Sequence, residues 1–410
     1  MKTTQLIGPF SKIYPLSSLA LKGPLTDDQL TPIAAGGLLI EGHKIVALGK
    51  FSELANQADS IVKIKSPLIC IPGLIDCHTH LLFGGNRSLE FSQRNAGQSY
   101  LEIDAAGGGI WSTVQQTRAL SIDQMTTIVQ QRANECLRSG ITTVEIKSGY
   151  GLSTRAEIGM LTAIKQTQAQ LPIDIVPTCL AAHAKPVDWQ GSAHRYLESI
   201  IAEIFPILLQ KRLSHRIDLF MDHHHFSPDD IHKYLQTAHT LGFDICLHAE
   251  QFRRGGVALG IEHKAVSVDH LEVIEQDQIQ QLSATATVAV VLPGACLGLG
   301  QTFAPARQLL DAGNCLAIAS DYNPGSAPYG DLILQAALLG TFEKLSIAEL
   351  IAGITFRAAA ALNLRDRGVL APNKKADFCA FQANDIHEIF YAPRPLRPHS
   401  VWKNGSEINL

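Results

Sequence analysis

From residue 68 onward, short apolar runs alternate with longer stretches in which apolar positions recur at helical spacing. Runs of this length, bounded by polar or turn-forming residues, are typical of strands that are buried on both faces. Such strands belong to parallel sheets covered by helices. The eight runs that predict strands are 68–75, 141–146, 173–180, 216–221, 243–248, 265–269, 286–292 and 314–320.

Helix signals occupy several of the intervals between these runs. Ser121–Arg138 begins with a Ser-x-x-Gln capping box and ends before Gly140, and Thr154–Gln170 begins with Thr-x-x-Glu. Ser227–Leu241 has Pro228 at its first helical position. Eight buried strands with intervening helices over roughly 300 residues predict a (β/α)8 barrel, a fold of the α/β class.

The two ends of the chain carry a different pattern. Residues 36–48 alternate apolar and polar positions around a Glu-Gly pair, which is a hairpin signal, and residues 368–381 return to strand character. We therefore expect a small β-sandwich domain built from both chain ends. The predicted boundaries are 1–66 for its N-terminal part, 67–364 for the barrel and 365–410 for its C-terminal part.

The composition is that of an ordinary globular protein, with 46% apolar and 18% charged residues among 410. A net charge of −4 offers no general attraction to nucleic acid or to an anionic membrane. The eight cysteines contain no Cys-x-x-Cys pair, which indicates reduced, buried thiols. Because we find no signal-peptide pattern and no apolar run long enough to cross a bilayer, we expect a cytoplasmic protein without nucleic-acid or membrane partners.

The first apolar run of the barrel region ends in Asp76, Cys77 and a His-x-His pair. Alternate side chains of a strand point to the same face, so His78 and His80 are expected on one side, about 7 Å apart along the chain. Two neutral imidazoles placed in this way can bind one divalent cation. The alternative is a pair of surface histidines in a loop, and this pair alone does not decide between the two.

Other polar side chains follow the later strands, at the edge where a barrel places its chemistry. Three histidines and one aspartate meeting there would make a hydrolytic metal site, in which the cation lowers the pKa of a bound water to ~7 and polarises the scissile carbonyl. The polar residues at the predicted strand ends are Glu145, Lys147, Tyr150, His183, Asp222, His223–His225, His248, Glu250, Gln251, Asp269, His270 and Asp321.

The His-x-His pair on strand 1, the histidines on strands 5 and 6 and the aspartate on strand 8 resemble the ligand pattern of the amidohydrolase superfamily. Finer motifs are similar to those of the imidazolonepropionase family within it. That family hydrolyses the ring of 4-imidazolone-5-propanoate to N-formimidoyl-L-glutamate in L-histidine degradation. The motifs are FGGNRSLEF (83–91), YLEIDAAGGGI (100–110), EIKSGYGL (145–152), HAEQ (248–251) and SDYNPGS (320–326).

This resemblance implies a metal-dependent hydrolase of a cyclic amide C–N bond, with a small-molecule substrate and a homodimeric assembly. The chemistry of the proton path predicts two catalytic residues, Asp321, whose carboxylate has one oxygen free to accept the proton of the attacking water, and His270. The implied ligands of one Zn2+ or Fe3+ per subunit are His78, His80, His248 and Asp321. The implied substrate contacts are Arg87, Tyr150, His183, Gln251, Asn323, Gly325 and Ser326.

Several of these roles have a structural alternative. Arg87 offers a bidentate fork to the propanoate carboxylate, or it forms an ion pair with Glu90. His270 holds the developing oxyanion, or it is a fourth, weakly bound metal ligand. Asn323 and Gly325 belong to a turn sequence, which also suits a purely structural role.

Two other functions compete with this one. A purine or pyrimidine aminohydrolase of the same superfamily usually has Glu three residues after the strand-5 histidine, where this chain has Gln251, which cannot shuttle a proton. A catalytically silent scaffold would not need the full ligand set. The chain also departs from the family after strand 4, where Met221–Asp222 replaces the usual Cys-Glu pair and His223–His225 is expected to be a solvated loop.

Overall fold

A computed structural model describes residues 3–98, 102–103, 107–221, 226–393 and 395–408. Its strands form two separate sheets, one a parallel barrel and the other largely antiparallel, which confirms the predicted fold class. The strands are β1 (Thr4–Ile13), β2 (Ile33–Glu41), β3 (Lys44–Lys50), β4 (Ser60–Lys63), β5 (Ile69–Pro72), β6 (Leu74–Asp76), β7 (Ile141–Lys147), β8 (Asp174–Ala182), β9 (Arg216–Phe220), β10 (Asp244–Ala249), β11 (Ser267–His270), β12 (Val288–Val291), β13 (Leu316–Ile318), β14 (Phe378–Phe381), β15 (Ser400–Lys403) and β16 (Ser406–Glu407).

Helices fill most of the connections between these strands. None of those in the described ranges is long and apolar enough to cross a membrane. The α-helices are α1 (Phe51–Leu54), α2 (Ser88–Asn95), α3 (Gly109–Arg118), α4 (Ile122–Arg138), α5 (Thr154–Gln168), α6 (Ala193–Ser199), α7 (Phe205–Lys211), α8 (Pro228–Thr240), α9 (Gly256–Glu262), α10 (Gln276–Ser283), α11 (Pro293–Leu299), α12 (Ala306–Asp311), α13 (Leu332–Glu343), α14 (Ile347–Gly353), α15 (Phe356–Ala361) and α16 (His387–Tyr391).

The barrel consists of β6 to β13, each paired in parallel with its neighbour along the chain. A parallel bridge from Thr79 to Tyr322 joins the segments that follow the first and last of these strands. Because all eight strands run the same way, their carboxyl ends meet at one edge. This edge carries the candidate site.

The second sheet combines both ends of the chain, in the order β16-β15-β14-β5-β1-β2-β3, with β4 paired to β1. The single strand predicted over 68–75 is wrong, since β5 belongs to this sheet and β6 to the barrel. Gly73 separates the two, and any Cβ there would overlap the side chain of Thr142. The chain can therefore change sheets only at a residue without a side chain.

The helix caps follow the sequence signals in part. Ser121 caps α4 through a capping box, because its hydroxyl accepts a hydrogen bond from the backbone N–H of Gln124 and its own N–H donates to the Gln124 side chain. The capping box predicted at Thr154 is wrong. Ser153 caps α5 instead, and Glu157 has a different set of partners.

Candidate metal and active site

Three histidines and one aspartate meet at the carboxyl edge of the barrel. His78 and His80 follow β6, His248 lies in β10 and Asp321 follows β13, and all four are at least 97% buried. The His80 Nε2 atom lies 3.2 Å from the His248 Nε2 atom. The Oδ1 atom of Asp321 lies 3.5 Å from the Nε2 atoms of both His78 and His80.

These separations fit a single metal ion. Four ligand atoms about 2.0–2.1 Å from a zinc ion in tetrahedral geometry lie about 3.3 Å from one another. The ligand atoms of the three histidines all lie within 4.8 Å of each other. Among the described residues, His78 Nε2 and Asp321 Oδ1 are buried without a hydrogen-bond partner, although such atoms are normally satisfied. A cation coordinated by these atoms would satisfy them.

Two carboxylates behind the ligands orient the imidazole rings. His78 Nδ1 lies 2.6 Å from Asp269 Oδ2, and His248 Nδ1 lies 3.0 Å from Asp218 Oδ2. A carboxylate beside Nδ1 keeps the proton on that nitrogen, so the Nε2 lone pair is free to bind a metal. The rings of His78 and His248 are therefore held in the tautomer that a ligand requires.

A fully buried lysine joins these carboxylates. Lys147 Nζ lies 2.7 Å from Glu145 Oε1, 2.8 Å from Asp218 Oδ2 and 4.0 Å from Asp269 Oδ2. Burial acts to lower the pKa of Lys147, but Asp218 and Glu145 outweigh it and raise that pKa well above its usual range. Glu145 also accepts a hydrogen bond from the backbone N–H of Thr79, between the two histidines of the pair. The lysine thus neutralises part of the charge that holds the ligands in place.

The turn after β13 orients Asp321. Its Oδ2 atom accepts hydrogen bonds from Asn323 Nδ2 at 2.9 Å and from Ser326 Oγ at 3.3 Å. Asn323 Oδ1 in turn accepts from the backbone N–H groups of Gly325 and Ser326. Asp321 itself has φ +51°, a conformation that costs about 1–3 kcal/mol outside glycine and is concentrated at functional sites. The turn therefore fixes which carboxylate oxygen faces the histidines.

The ion pair that the sequence left open for Arg87 is present. Its Nε and Nη2 atoms lie 2.7 and 2.5 Å from Glu90 Oε2, and Glu90 Oε1 accepts from the backbone N–H of Gly109. A Cβ on Gly325 would overlap the Nη1 atom of Arg87. Gly325 thus leaves space for the arginine, which lines the cavity while paired with Glu90.

His270 lies at the end of β11, with its ring centroid 5.2 Å from that of His248. Its Nδ1 atom lies 3.3 Å from Glu272 Oε1. Burial acts to lower the pKa of His270, but the carboxylates of Glu272, Asp321 and Asp269 raise it to about 9. These carboxylates thus favour the protonated form of the ring.

His80, His248 and Asp321 line a cavity that is open to solvent. His78 and Gly325 do not line it, since His78 is fully buried and Gly325 packs against Arg87. Sequence reasoning missed the apolar walls, which come from Ile110, Phe220, Phe252 and Leu299. The predicted site residues that line the cavity are His80, Arg87, Tyr150, His183, His248, Gln251, His270, Asp321, Asn323 and Ser326.

Glu157 holds the loop that carries Tyr150. Its carboxylate accepts hydrogen bonds from the backbone N–H groups of Gly149, Gly151 and Leu152 at 2.7–3.0 Å. The Tyr150 ring centroid lies 5.8 Å from that of His80. The Glu of the predicted capping box therefore supports the wall of the cavity instead of the start of α5.

Sequence reasoning also missed the supporting roles of Lys147, Asp218 and Glu272. Each is a charged residue in or directly after a buried barrel strand, and that position is the signal that points to them. Asp222 and His223–His225, which the sequence singled out after strand 4, lie outside the described residues.

Comparisons with known proteins agree with this architecture. Residues 95–408 match the sequence model of a family described as Amidohydrolase family. Imidazolonepropionase from Acinetobacter baumannii (strain ACICU) is 39% identical over 387 residues, covering 94% of this chain and 96% of that protein. Imidazolonepropionase from Idiomarina loihiensis is 41% identical over 391 residues, covering 93% and 94%.

Solved structures with low sequence identity share the fold. Atrazine chlorohydrolase from Arthrobacter aurescens TC1, complexed with zinc, superposes with a TM-score of 0.71 at 17% identity, covering 98% of this chain and 94% of that one. An adenosine deaminase from Xanthomonas campestris with bound zinc also gives a TM-score of 0.71 at 17% identity, covering 98% and 92%.

Proposed function

The chain belongs to the imidazolonepropionase family of amidohydrolases, and from this membership we infer the reaction that its site performs. It is a hydrolase of a cyclic amide C–N bond. It converts 4-imidazolone-5-propanoate and water to N-formimidoyl-L-glutamate in the degradation of L-histidine. The observation that carries this inference is the identity of 39–41% over more than nine tenths of the chain.

We propose that His78, His80, His248 and Asp321 hold one metal ion per subunit, either Zn2+ or Fe3+. The unpaired ligand atoms and their separations of 3.2–3.5 Å support this assignment. When bound, such an ion supplies Lewis-acid activation of a water molecule and of the scissile carbonyl. Imidazole and carboxylate ligands suit both metals, so elemental analysis of the purified protein is the measurement that distinguishes them.

We propose that the polar side chains lining the cavity bind the substrate. Arg87 lines the cavity, and its guanidinium, which also pairs with Glu90, is proposed to meet the propanoate carboxylate. Tyr150 and His183 lie beside His80, with ring centroids 5.8 and 5.3 Å from its ring. Gln251, Asn323 and Ser326 complete the proposed contacts to the ring amide.

Asp321 is the proposed proton carrier. In the absence of a cation, burial raises its pKa to about 6, although His270 and Asn323 act to lower it. It would accept the proton of the attacking water and pass it to the departing ring nitrogen, which must be protonated before the C–N bond breaks. His270 would donate a hydrogen bond to the developing oxyanion.

The competing aminohydrolase function has less support. Gln251 lines the cavity at the position where such enzymes usually have Glu, and an amide cannot transfer the proton that deamination requires. We also propose a homodimer and a cytoplasmic location.

The reaction is tested by the loss of imidazolonepropionate absorbance after enzyme is added, with and without a chelator. We expect turnover that chelation abolishes and that added metal restores. His248→Ala should lose most of the metal and the activity, while its circular dichroism spectrum stays that of the wild type. Full metal occupancy in this variant would contradict the ligand assignment, and no turnover of this substrate by the metal-loaded wild type would contradict the function.

A further inference from the structure

A second cluster of metal-binding side chains lies on the outside of the barrel. His232 is in α8, Glu262 is the last residue of α9 and His263 follows it. His263 is buried, while the side chains of His232 and Glu262 are about half exposed, at 48% and 56%. The nitrogen and oxygen atoms that these three residues offer lie within 4.8 Å of one another.

Two of the three separations within this cluster match those of a tetrahedral metal site. His263 Nε2 lies 3.2 Å from His232 Nδ1, and His232 Nδ1 lies 3.3 Å from Glu262 Oε1. Ligand atoms bound tetrahedrally to zinc lie about 3.3 Å apart. The two imidazole rings are inclined at 64°, so they do not stack.

Another surface histidine, His194, is arranged differently. His194 lies 2.5 Å from Asp230 and 3.3 Å from Glu198, so each of its nitrogens faces a carboxylate and the group is explained as an ion-pair network. In the α8–α9 cluster, His232 Nδ1 faces the Glu262 carboxylate and also the nitrogen of a second imidazole. Two protonated rings would repel at this distance, whereas two neutral rings and one carboxylate form a ligand set that leaves coordination positions open to water.

We propose that His232, Glu262 and His263 form a second, peripheral binding site for a divalent transition metal such as Zn2+ or Ni2+. Imidazole nitrogens with one carboxylate favour these ions over Mg2+ and Ca2+, which prefer sites made of oxygen atoms. The ion would join α8 to the end of α9, the two helices that precede and follow β10. It would therefore stabilise the outer support of the strand that carries His248, without contributing to the cavity.

The test counts zinc bound to the metal-free protein at neutral pH by equilibrium dialysis and elemental analysis. All variants carry alanine at His223, His224 and His225, which removes a histidine run that could bind zinc on its own. The parent, which carries only these three alanine substitutions, should bind one zinc per chain more than the variant that also carries His232→Ala and His263→Ala. This difference does not depend on how the central site is occupied.

Two further variants separate metal binding from folding. His232→Ala alone changes a half-exposed side chain and should also lose the additional zinc with an unchanged circular dichroism spectrum. Glu262→Gln should weaken the additional site by more than about tenfold, since even the loss of a residue that only supports a ligand costs 10–100-fold in affinity. His194→Ala, the matched control, should bind as much zinc as the parent. Equal zinc content in the parent and in both His232 variants would overturn the proposal.

Discussion

Replacement of Lys147 by methionine tests whether the charges behind the ligands position them. The lysine is fully buried and is the cation closest to Glu145 and Asp218, at 2.7 and 2.8 Å. Methionine keeps much of the volume and removes the charge. Removing one partner of a buried ion pair typically costs about 3–5 kcal/mol of stability, because the remaining charge is left uncompensated.

The substitution should also weaken metal binding, through a change in protonation. Lys147 and His248 lower the pKa of Asp218 against the effect of burial. Without the lysine, Asp218 would become protonated and donate a hydrogen bond to His248 Nδ1. The remaining proton of the imidazole would then move to Nε2, the nitrogen that faces the ligand set. Loss of such an orienting carboxylate lowers metal affinity by about 10–100-fold.

Lys403 provides the matched control. It is also fully buried and lies 2.8 Å from Asp174 and 2.7 Å from Asp377, but it belongs to the β15 strand of the terminal sheet. Lys403→Met should lower the free energy of unfolding and leave zinc affinity unchanged. Lys147→Met should lower both, measured by denaturant unfolding of the metal-free protein and by zinc competition with a chromophoric chelator. Equal zinc affinity in the two variants would refute the positioning role.

Three further changes probe the cavity and its support. Gly325→Ala should raise KM more than it changes kcat, because the added Cβ displaces Arg87. Arg87→Lys should have the same effect in steady-state assays. An unchanged kcat/KM in both variants would mean that Arg87 is only a structural partner of Glu90. His270→Asn should lower kcat by about 10²–10³ with metal content intact, whereas parallel loss of metal would make His270 a ligand. Burial acts to raise the pKa of Asp174, but Lys403, Arg367 and Lys375 lower it to about 2. Its ion pairs therefore add about 2 kcal/mol to the free energy of unfolding above pH ~4, and this contribution is lost as the pH falls towards 2. The difference in thermal midpoint between the wild type and Asp174→Asn should therefore narrow over that range.

The barrel could be predicted from sequence because its signals are local. Each strand is a short apolar run buried on both faces, and side chains at strand ends share one edge once the strands are parallel. Knowing the fold is therefore enough to bring His78, His80, His248 and Asp321 near one another.

Predictions from local sequence patterns were wrong where a tertiary contact determined the structure. Thr154 and Glu157 have the spacing of a capping box, yet Glu157 binds the backbone of the loop before α5. The apolar run 68–75 continues through Gly73 without any change in hydrophobicity, although the chain moves there from one sheet to the other. Neither outcome is encoded within the few residues that a pattern covers, because both depend on which neighbour lies opposite.

The charges beneath the ligands follow a rule of barrel packing that individual strand patterns do not express. Side chains inside a (β/α)8 barrel form layers contributed by alternate strands. Lys147, Asp218 and Asp269 come from the second, fourth and sixth strands of the barrel, and all are buried. Together with Glu145, this group contains three carboxyl groups and one ammonium group, so negative charge is in excess below the histidines. Such an excess favours a cation among the ligand atoms above it, since unlike charges attract strongly where water is excluded. The layer thus acts on the metal site through both the orientation of the imidazoles and the electrostatic potential at their Nε2 atoms.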